Sequence, residues 1–319
     1  MKRVWNGAIL CLGLLLLPIR AAAAELIPVG QVIGLQLYND RVTVAAYDDI
    51  LGGTARRAGL KIGDQILEID GKTVNCAEDV RGALQSSTGQ VCLTVRRAGK
   101  ERQLRFSPAS TEDGPKMGVF LRQGIAGIGT VTFYDPANGT FGALGHGVCD
   151  NGGLLKMTRG NAFEAAVAEV KRGKAGDPGQ LRGAADSPIP FAPLLKNTPQ
   201  GVFGVSPRRW QGQTVPTAEY ESVHTGPASI RAQIGTGQPR EYSVEILKIY
   251  PETRADHRNF LLRVTDSDLL KATGGIVQGM SGSPILQDGK LIGAVTHVLV
   301  NDPATGYGIF IDNMLEAAG

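Results

Sequence analysis

The chain is poor in the residues that staple or metallate small domains: its 319 residues include 4 cysteines and 4 histidines, with no CxxC or HExxH spacing. Neither a metal site nor a cofactor is expected. Cys11 falls in an apolar leader, which leaves Cys76, Cys92 and Cys149, an odd number that supports no disulfide framework. Spacing leaves open whether Cys76 and Cys92 meet. Aromatic residues are scarce too, at 6% against 43 glycines, a balance that suits short strands and tight turns better than long helices. An excess of charge of one sign is also missing. The net charge is +3, but Lys2, Arg3 and Arg20 lie in the leader, and without them 33 basic residues fall to 30 against 30 acidic ones. That balance excludes a basic nucleic-acid footprint and an acidic tail.

Only one long apolar run exists, residues 8–17 behind Lys2 and Arg3, followed by four alanines at 21–24. It is about half the length a bilayer-spanning helix needs, so residues 1–24 read as a cleaved export signal. Arg20, just before the small residues, leaves a retained tether open. The length predicts two domains beyond it, both mostly β.

The first, residues 29–108, is built around GTARRAGLKIGDQILEIDGKTV at 53–74. Residues 55–58 form a helical turn stopped by Gly59, and Gly63-Asp64 turn into a strand over 65–69. Asp70-Gly71 signals a hairpin. Residues 76–85 read as an amphipathic helix with Val80 and Leu84 inward, and strands over 91–96 and 102–106 close the unit. This pattern resembles a PDZ domain of the bacterial protease-associated kind. The resemblance implies peptide termini as ligands, held by strand addition and a nest of backbone amides, and puts that contact at Ile33, Gly34, Leu35, Gln36 and Leu37. A turn at Gly34 with core-filling leucines is the competing reading.

From residue 114 to 319 the composition changes to short β segments broken by Gly, Pro and Asn-Gly. Strands are expected over 119–121, 125–134, 202–205, 228–234, 242–250 and 260–264, and a glycine-rich loop over 171–183. Within QGMSGSP at 278–284, Ser281 sits in a glycine-flanked turn before an apolar hairpin. Trypsin-like hydrolases present a nucleophilic hydroxyl in this way. The amides of Gly279 and Ser281 would point at the developing oxyanion. The lipase-type elbow needs glycine where Ser283 stands, so the α/β-hydrolase reading fails.

A serine nucleophile needs a base. His146, between Gly145 and Gly147 at a strand end, is the leading candidate. His297, amid apolar residues after the serine hairpin, is a structural histidine or the alternative base, while His224 and His257 lie among charged residues. A third group must orient the imidazole. Asp266, Asp268 and Asp150 are the candidates, and Asp266 with Thr265 could instead cap a helix over 267–273. Cys149 lies too near His146 in sequence to serve readily as a nucleophile.

Together, GHG at 145–147, TDSDLL at 265–270, TGGIVQGMSGSP at 273–284 and GAVTHVLVNDPATGYGIFID at 293–312 resemble the stage IV sporulation protein B peptidases of spore-forming Firmicutes. The resemblance implies a PDZ domain followed by a chymotrypsin-like double β-barrel, with a triad of His146, Asp266 and Ser281. It further implies export across the forespore membrane into the intermembrane space, with transient membrane association open before processing. There such an enzyme cuts itself and a membrane-anchored inhibitory partner of an intramembrane metalloprotease, which activates the late mother-cell sigma factor. The rivals are an HtrA-like envelope quality-control protease, in which the PDZ follows the peptidase, and a non-catalytic PDZ adaptor.

Overall fold

The computed structural model describes residues 23–150 and 152–319. The expected signal lies outside them except for Ala23 and Ala24, and no described helix is long and apolar enough to cross a membrane. The architecture is a PDZ domain with two closed six-stranded barrels.

The PDZ core follows from period-two burial: Val42 and Val44, then Val91, Leu93 and Val95, are at most 1% exposed, because alternate strand residues face the same way. Ile66 and Ile69 share that core although three apart, since a bulge at Ile66/Glu68 supplies the extra residue. Helix Ala77–Gln85 buries Val80 and Leu84 as expected and starts in a capping box. Its Cys76 Sγ accepts the Asp79 N–H at 3.4 Å, and the Asp79 carboxylate accepts the Cys76 N–H at 3.1 Å. Asp70 and Gly71 take φ of 50° and 75°, the left-handed pair a tight hairpin requires. Asp64, fully buried, accepts two 2.6 Å hydrogen bonds from Arg97 and ties the Gly63-Asp64 turn to the hairpin of Val91–Arg97 and Lys100–Phe106. Strand order is Val119–Arg122, Val42–Tyr47, Gln65–Ile69, Val91–Arg97, Lys100–Phe106, with Lys72–Thr73 paired to Gln65–Ile69.

The first barrel closes through Val32–Tyr38, Ile125–Tyr134, Thr140–Ala143, Gly201–Val205, Ala192–Thr198 and Arg159–Lys171. The second runs Gly226–Ala232, Arg240–Ile249, Phe260–Val264, Asp302–Phe310, Lys290–Leu299 and Pro284–Gln287. A small apolar cluster with Phe133, Phe203, Ala294, Ile309 and Met314 joins residues of both.

Three expectations are corrected. The PDZ domain is inserted into the first barrel: Glu25–Pro28 and Val32–Tyr38 belong to barrel ladders, whereas residues 109–122 belong with the PDZ. Ile33, Gly34, Leu35, Gln36 and Leu37 therefore do not take a peptide by strand addition, because both edges of their strand are already paired, with Ile125–Tyr134 and Arg159–Lys171. Finally, 171–183 is not a plain loop; strand Gln180–Ala185 folds back on Arg159–Lys171.

Candidate active site

Ser281 leads into a hairpin of Pro284–Gln287 and Lys290–Leu299, turned by Asp288-Gly289 at φ 51° and 75°. Its own turn is clamped from the first barrel. Thr130 N–H donates to the Ser281 carbonyl at 3.0 Å, Thr130 Oγ1 to the Gly279 carbonyl at 2.8 Å, and Thr132 Oγ1 to the Gly282 carbonyl at 2.8 Å. The approach is so close that a Cβ on Gly282 (φ 97°) would stand 2.0 Å from the Thr130 carbonyl oxygen, so only glycine fits. With these carbonyls held, the Gly279 and Ser281 N–H groups have no acceptor among the described residues. Two unspent amides beside a serine are the donors an oxyanion needs.

Ser281 opens onto a cleft of about 470 Å³ that also borders Leu35, Leu37, His146, Cys149 and His297. Two residues expected in the PDZ ligand site, Leu35 and Leu37, thus wall this cleft instead. His146 Nδ1 lies 3.0 Å from the Gly147 carbonyl oxygen. A carbonyl only accepts, so Nδ1 carries the proton and Nε2 keeps its lone pair for a base's work. Burial pulls the imidazole pKa below its ordinary value, with the Gly147 carbonyl opposing. The His297 ring stands 4.9 Å from that of His146, centroid to centroid, tilted by 41°. Burial, reinforced by His146 and Arg258 and opposed by Asp256, takes His297 down to about 4, so both rings are neutral at pH 7. The Ser281 hydroxyl donates at 2.7 Å to the Thr296 carbonyl rather than to an imidazole.

Asp266 is not brought to His146. Its carboxylate accepts the Asp268 and Leu269 N–H groups at 3.0 and 2.9 Å and caps helix Ser267–Thr273, the reading its Thr-Asp-Ser-Asp context also allowed. Its remaining neighbour is the Ser243 N–H at 3.4 Å. Asp150 pairs with Arg122 at 3.8 Å. His224 is engaged by Asp288, and His257 Nε2 by the Gln200 amide. Thr130, Thr132 and the Thr296 carbonyl were not foreseen. The only trace of the first two in the sequence is a pair of polar residues two apart in an otherwise apolar strand, and both are buried, at 1% and 0% exposure.

A double β-barrel with a glycine-turn serine, a neutral imidazole in the same cleft and two free amides defines the serine peptidase class. The SpoIVB peptidase S55 family model matches residues 113–315, and the chain belongs to that family. A PDZ domain model matches residues 50–97. A putative zinc metalloprotease of Agrobacterium fabrum is 40% identical over 88 residues, 27% of this chain and 22% of that protein. One of Vibrio cholerae is 32% identical over 128 residues, 40% and 27% respectively. The chain thus spans about a quarter of the length of these curated relatives. Among solved structures, the active form of the Rv3671c protease from M. tuberculosis aligns over 60% of this chain and 73% of its own, at 16% identity and TM-score 0.39. The PDZ domain of an SdrC-like protein from Listeria monocytogenes aligns over 26% of this chain and 87% of its own, at 26% identity and TM-score 0.23.

Proposed function

We propose that this protein is an exported serine endopeptidase of sporulation signalling. It cuts itself and a membrane-anchored inhibitory partner of an intramembrane metalloprotease in the intermembrane space, and so leads to activation of the late mother-cell sigma factor. The observation that carries the peptidase half is the convergence of Ser281, His146 and the free Gly279 and Ser281 amides on one cleft. Membership of the family supports the signalling half.

The chemistry is acyl transfer by a serine–histidine pair. Ser281 Oγ rotates away from the Thr296 carbonyl and attacks a peptide carbonyl carbon, while His146 Nε2 takes its proton. The C–O bond formed makes a tetrahedral oxyanion, which the Gly279 and Ser281 amides stabilise. His146 then protonates the leaving amine as the C–N bond breaks, and water reverses the sequence to free the acyl group. The Gly147 carbonyl takes the orienting role that a carboxylate fills in a triad.

One observation favours the adaptor reading, namely the Ser281 hydroxyl's hydrogen bond to Thr296 instead of a base. Intact mass of the mature chain beside Ser281→Ala, followed over hours with fluorophosphonate labelling of both, separates the two. Self-shortening and labelling of the wild type alone support the peptidase. An intact, unlabelled wild type leaves the adaptor.

A further inference from the structure

We propose that a second groove, opening from the catalytic cleft, takes an apolar side chain from the leaving half of the substrate, within about three residues of the bond that is cut. The inference rests on the peptidase reading above and adds to it the class of sequence that is cut.

The groove holds about 660 Å³ and is walled by Leu35, Ala126, Ile128, Phe163, Leu181 and Pro188. Leu35, Gly127 and Ile128 border the cleft of Ser281 as well, so the two spaces are continuous. The passage is open, since a Cβ at Gly127 would meet no heavy atom within 4 Å. The far wall is strand Gln180–Ala185, folded back on Arg159–Lys171. A Cβ on Gly279 would stand 3.0 Å from Leu181 Cβ and 3.4 Å from Ile128 Cδ1, so both side chains reach the oxyanion turn. Arg182, the charged residue of the lining, is paired with Glu169 at 3.1 Å. An apolar recess without a free charge selects an uncharged apolar side chain, because a charge buried there would go uncompensated.

The neighbouring main chain makes the occupant an extended polypeptide. Thr130 directs both its N–H and its carbonyl away from strand Val32–Tyr38, to the Ser281 carbonyl and the Leu144 N–H. Ile128 lies two residues earlier in the same unbroken register, so its N–H and carbonyl leave on the same edge. No strand among the described residues is paired with that edge at Ile128. A chain laid there gains main-chain hydrogen bonds and sends alternate side chains into the groove. Its direction follows from the chemistry. The acyl carbon stays on Ser281, in the second barrel, whereas the departing nitrogen takes its proton from His146, in the first. Residues beyond that nitrogen run onto the first barrel, which supplies the groove's walls. The groove also touches the oxyanion donor. The Gln278 carbonyl accepts the Leu181 N–H at 2.8 Å, and across that trans peptide the Gly279 N–H points the opposite way. A side chain packed on Leu181 steadies this unit, so the preference acts on kcat and not on KM alone.

The test uses the full mature chain, with Ser281→Ala as the blank, on a proteome-derived peptide mixture whose cut sites are read by mass spectrometry. We expect Leu, Ile, Met and Phe to be enriched, and Asp, Glu, Lys and Arg depleted, at a position within about three residues after the cut. Matched synthetic peptides with Leu or Lys at that position should differ by about tenfold or more in kcat/KM, mostly in kcat. Ala126→Glu puts a carboxylate at an exposed position of the groove wall and should shrink that ratio several-fold by favouring the lysine peptide. Enrichment absent, enrichment only before the cut, or a ratio unmoved by Ala126→Glu overturns the groove as a leaving-half site. A difference in KM alone overturns its link to the oxyanion donor. If no serine-dependent cut occurs the inference falls, and if fluorophosphonate also fails to label the wild type the peptidase reading falls with it.

Discussion

Substitution at Asp266 separates two roles whose sizes differ by orders of magnitude. If this residue only caps helix Ser267–Thr273, Asp266→Asn keeps one acceptor oxygen for the Asp268 and Leu269 amides, now at 3.0 and 2.9 Å. Asparagine caps about as well as aspartate, so the change is worth a few tenths of a kcal/mol, whereas Asp266→Ala forfeits about 1 kcal/mol. For a domain of this size that is a Tm loss of roughly 2–4 °C. If Asp266 instead orients His146 in the reacting enzyme, asparagine presents the wrong hydrogen-bonding partner and kcat falls by about four orders of magnitude. At about 1.4 kcal/mol per tenfold, that is roughly 5.5 kcal/mol of transition-state stabilisation. Self-cleavage kinetics and fluorophosphonate labelling rates of wild type, Asp266→Asn and Asp266→Ala, each with its Tm, decide the matter. The structure predicts an asparagine variant within a few-fold of wild type and an alanine variant that is mainly less stable. A fall of three orders or more in Asp266→Asn at unchanged Tm would refute the dyad and mean that the capped geometry is not the one that reacts.

Thr130→Val removes the hydroxyl that holds the Gly279 carbonyl at 2.8 Å while keeping the side-chain volume. Leaving that carbonyl unsatisfied costs about 1–3 kcal/mol, and we expect kcat to drop about tenfold or more; unchanged kcat would show that the oxyanion turn stands without its clamp. The acid limb of kcat/KM should have its midpoint below 6.5, because burial favours neutral His146; a midpoint above 6.5 in a pH–rate profile would contradict this. His297, lowered to about 4, binds fewer protons folded than unfolded between its ordinary value of 6.5 and about 4. Stability is thus lost as pH falls through that window, and His297→Gln should flatten this part of a Tm-against-pH curve. Asp312 runs the other way. Burial, with Glu252, Glu221 and Glu219 adding to it and the Tyr220 amide opposing, raises it to about 6, so its protonated form stabilises the fold at low pH and the benefit is lost as pH rises through about 6. Asp312→Asn, still able to accept the Tyr220 N–H, should raise Tm at pH 8 and leave it unchanged at pH 4.

Local features of the fold were legible because local physics decides them. Strand Gln65–Ile69, the Asp70-Gly71 hairpin, helix Ser267–Thr273 and strands Ile125–Tyr134 and Phe260–Val264 follow from alternation, caps and turn residues that act within a few positions. The partner of a strand is a different matter. Val32–Tyr38 reads the same whether it opens a PDZ or lines a barrel, since both environments bury Ile33, Leu35 and Leu37 and both tolerate Gly34. What excludes the PDZ is the pairing of both its edges with strands that begin some 90 and 120 residues later, contacts no local pattern encodes.

The site divides along the same line. Ser281 announces itself because its turn needs glycines at 279 and 282, and His146 because so few histidines are present. The third member of a triad carries no such mark: an aspartate before a helix looks alike whether it caps or orients. Here one carboxylate oxygen, Oδ1, is spent within two and three residues of Asp266, on amides the helix would otherwise leave bare, while Oδ2 lies 3.4 Å from the Ser243 N–H. The insertion has a mechanical corollary. A module threaded into the barrel between Val32–Tyr38 and Ile125–Tyr134 is tied to it at both ends, and those two strands supply Leu35, Leu37, Ile128 and the Thr130 clamp around the serine. A PDZ appended after a peptidase is joined to it through one linker, whereas this one is joined through both of its ends to two strands that wall the active site.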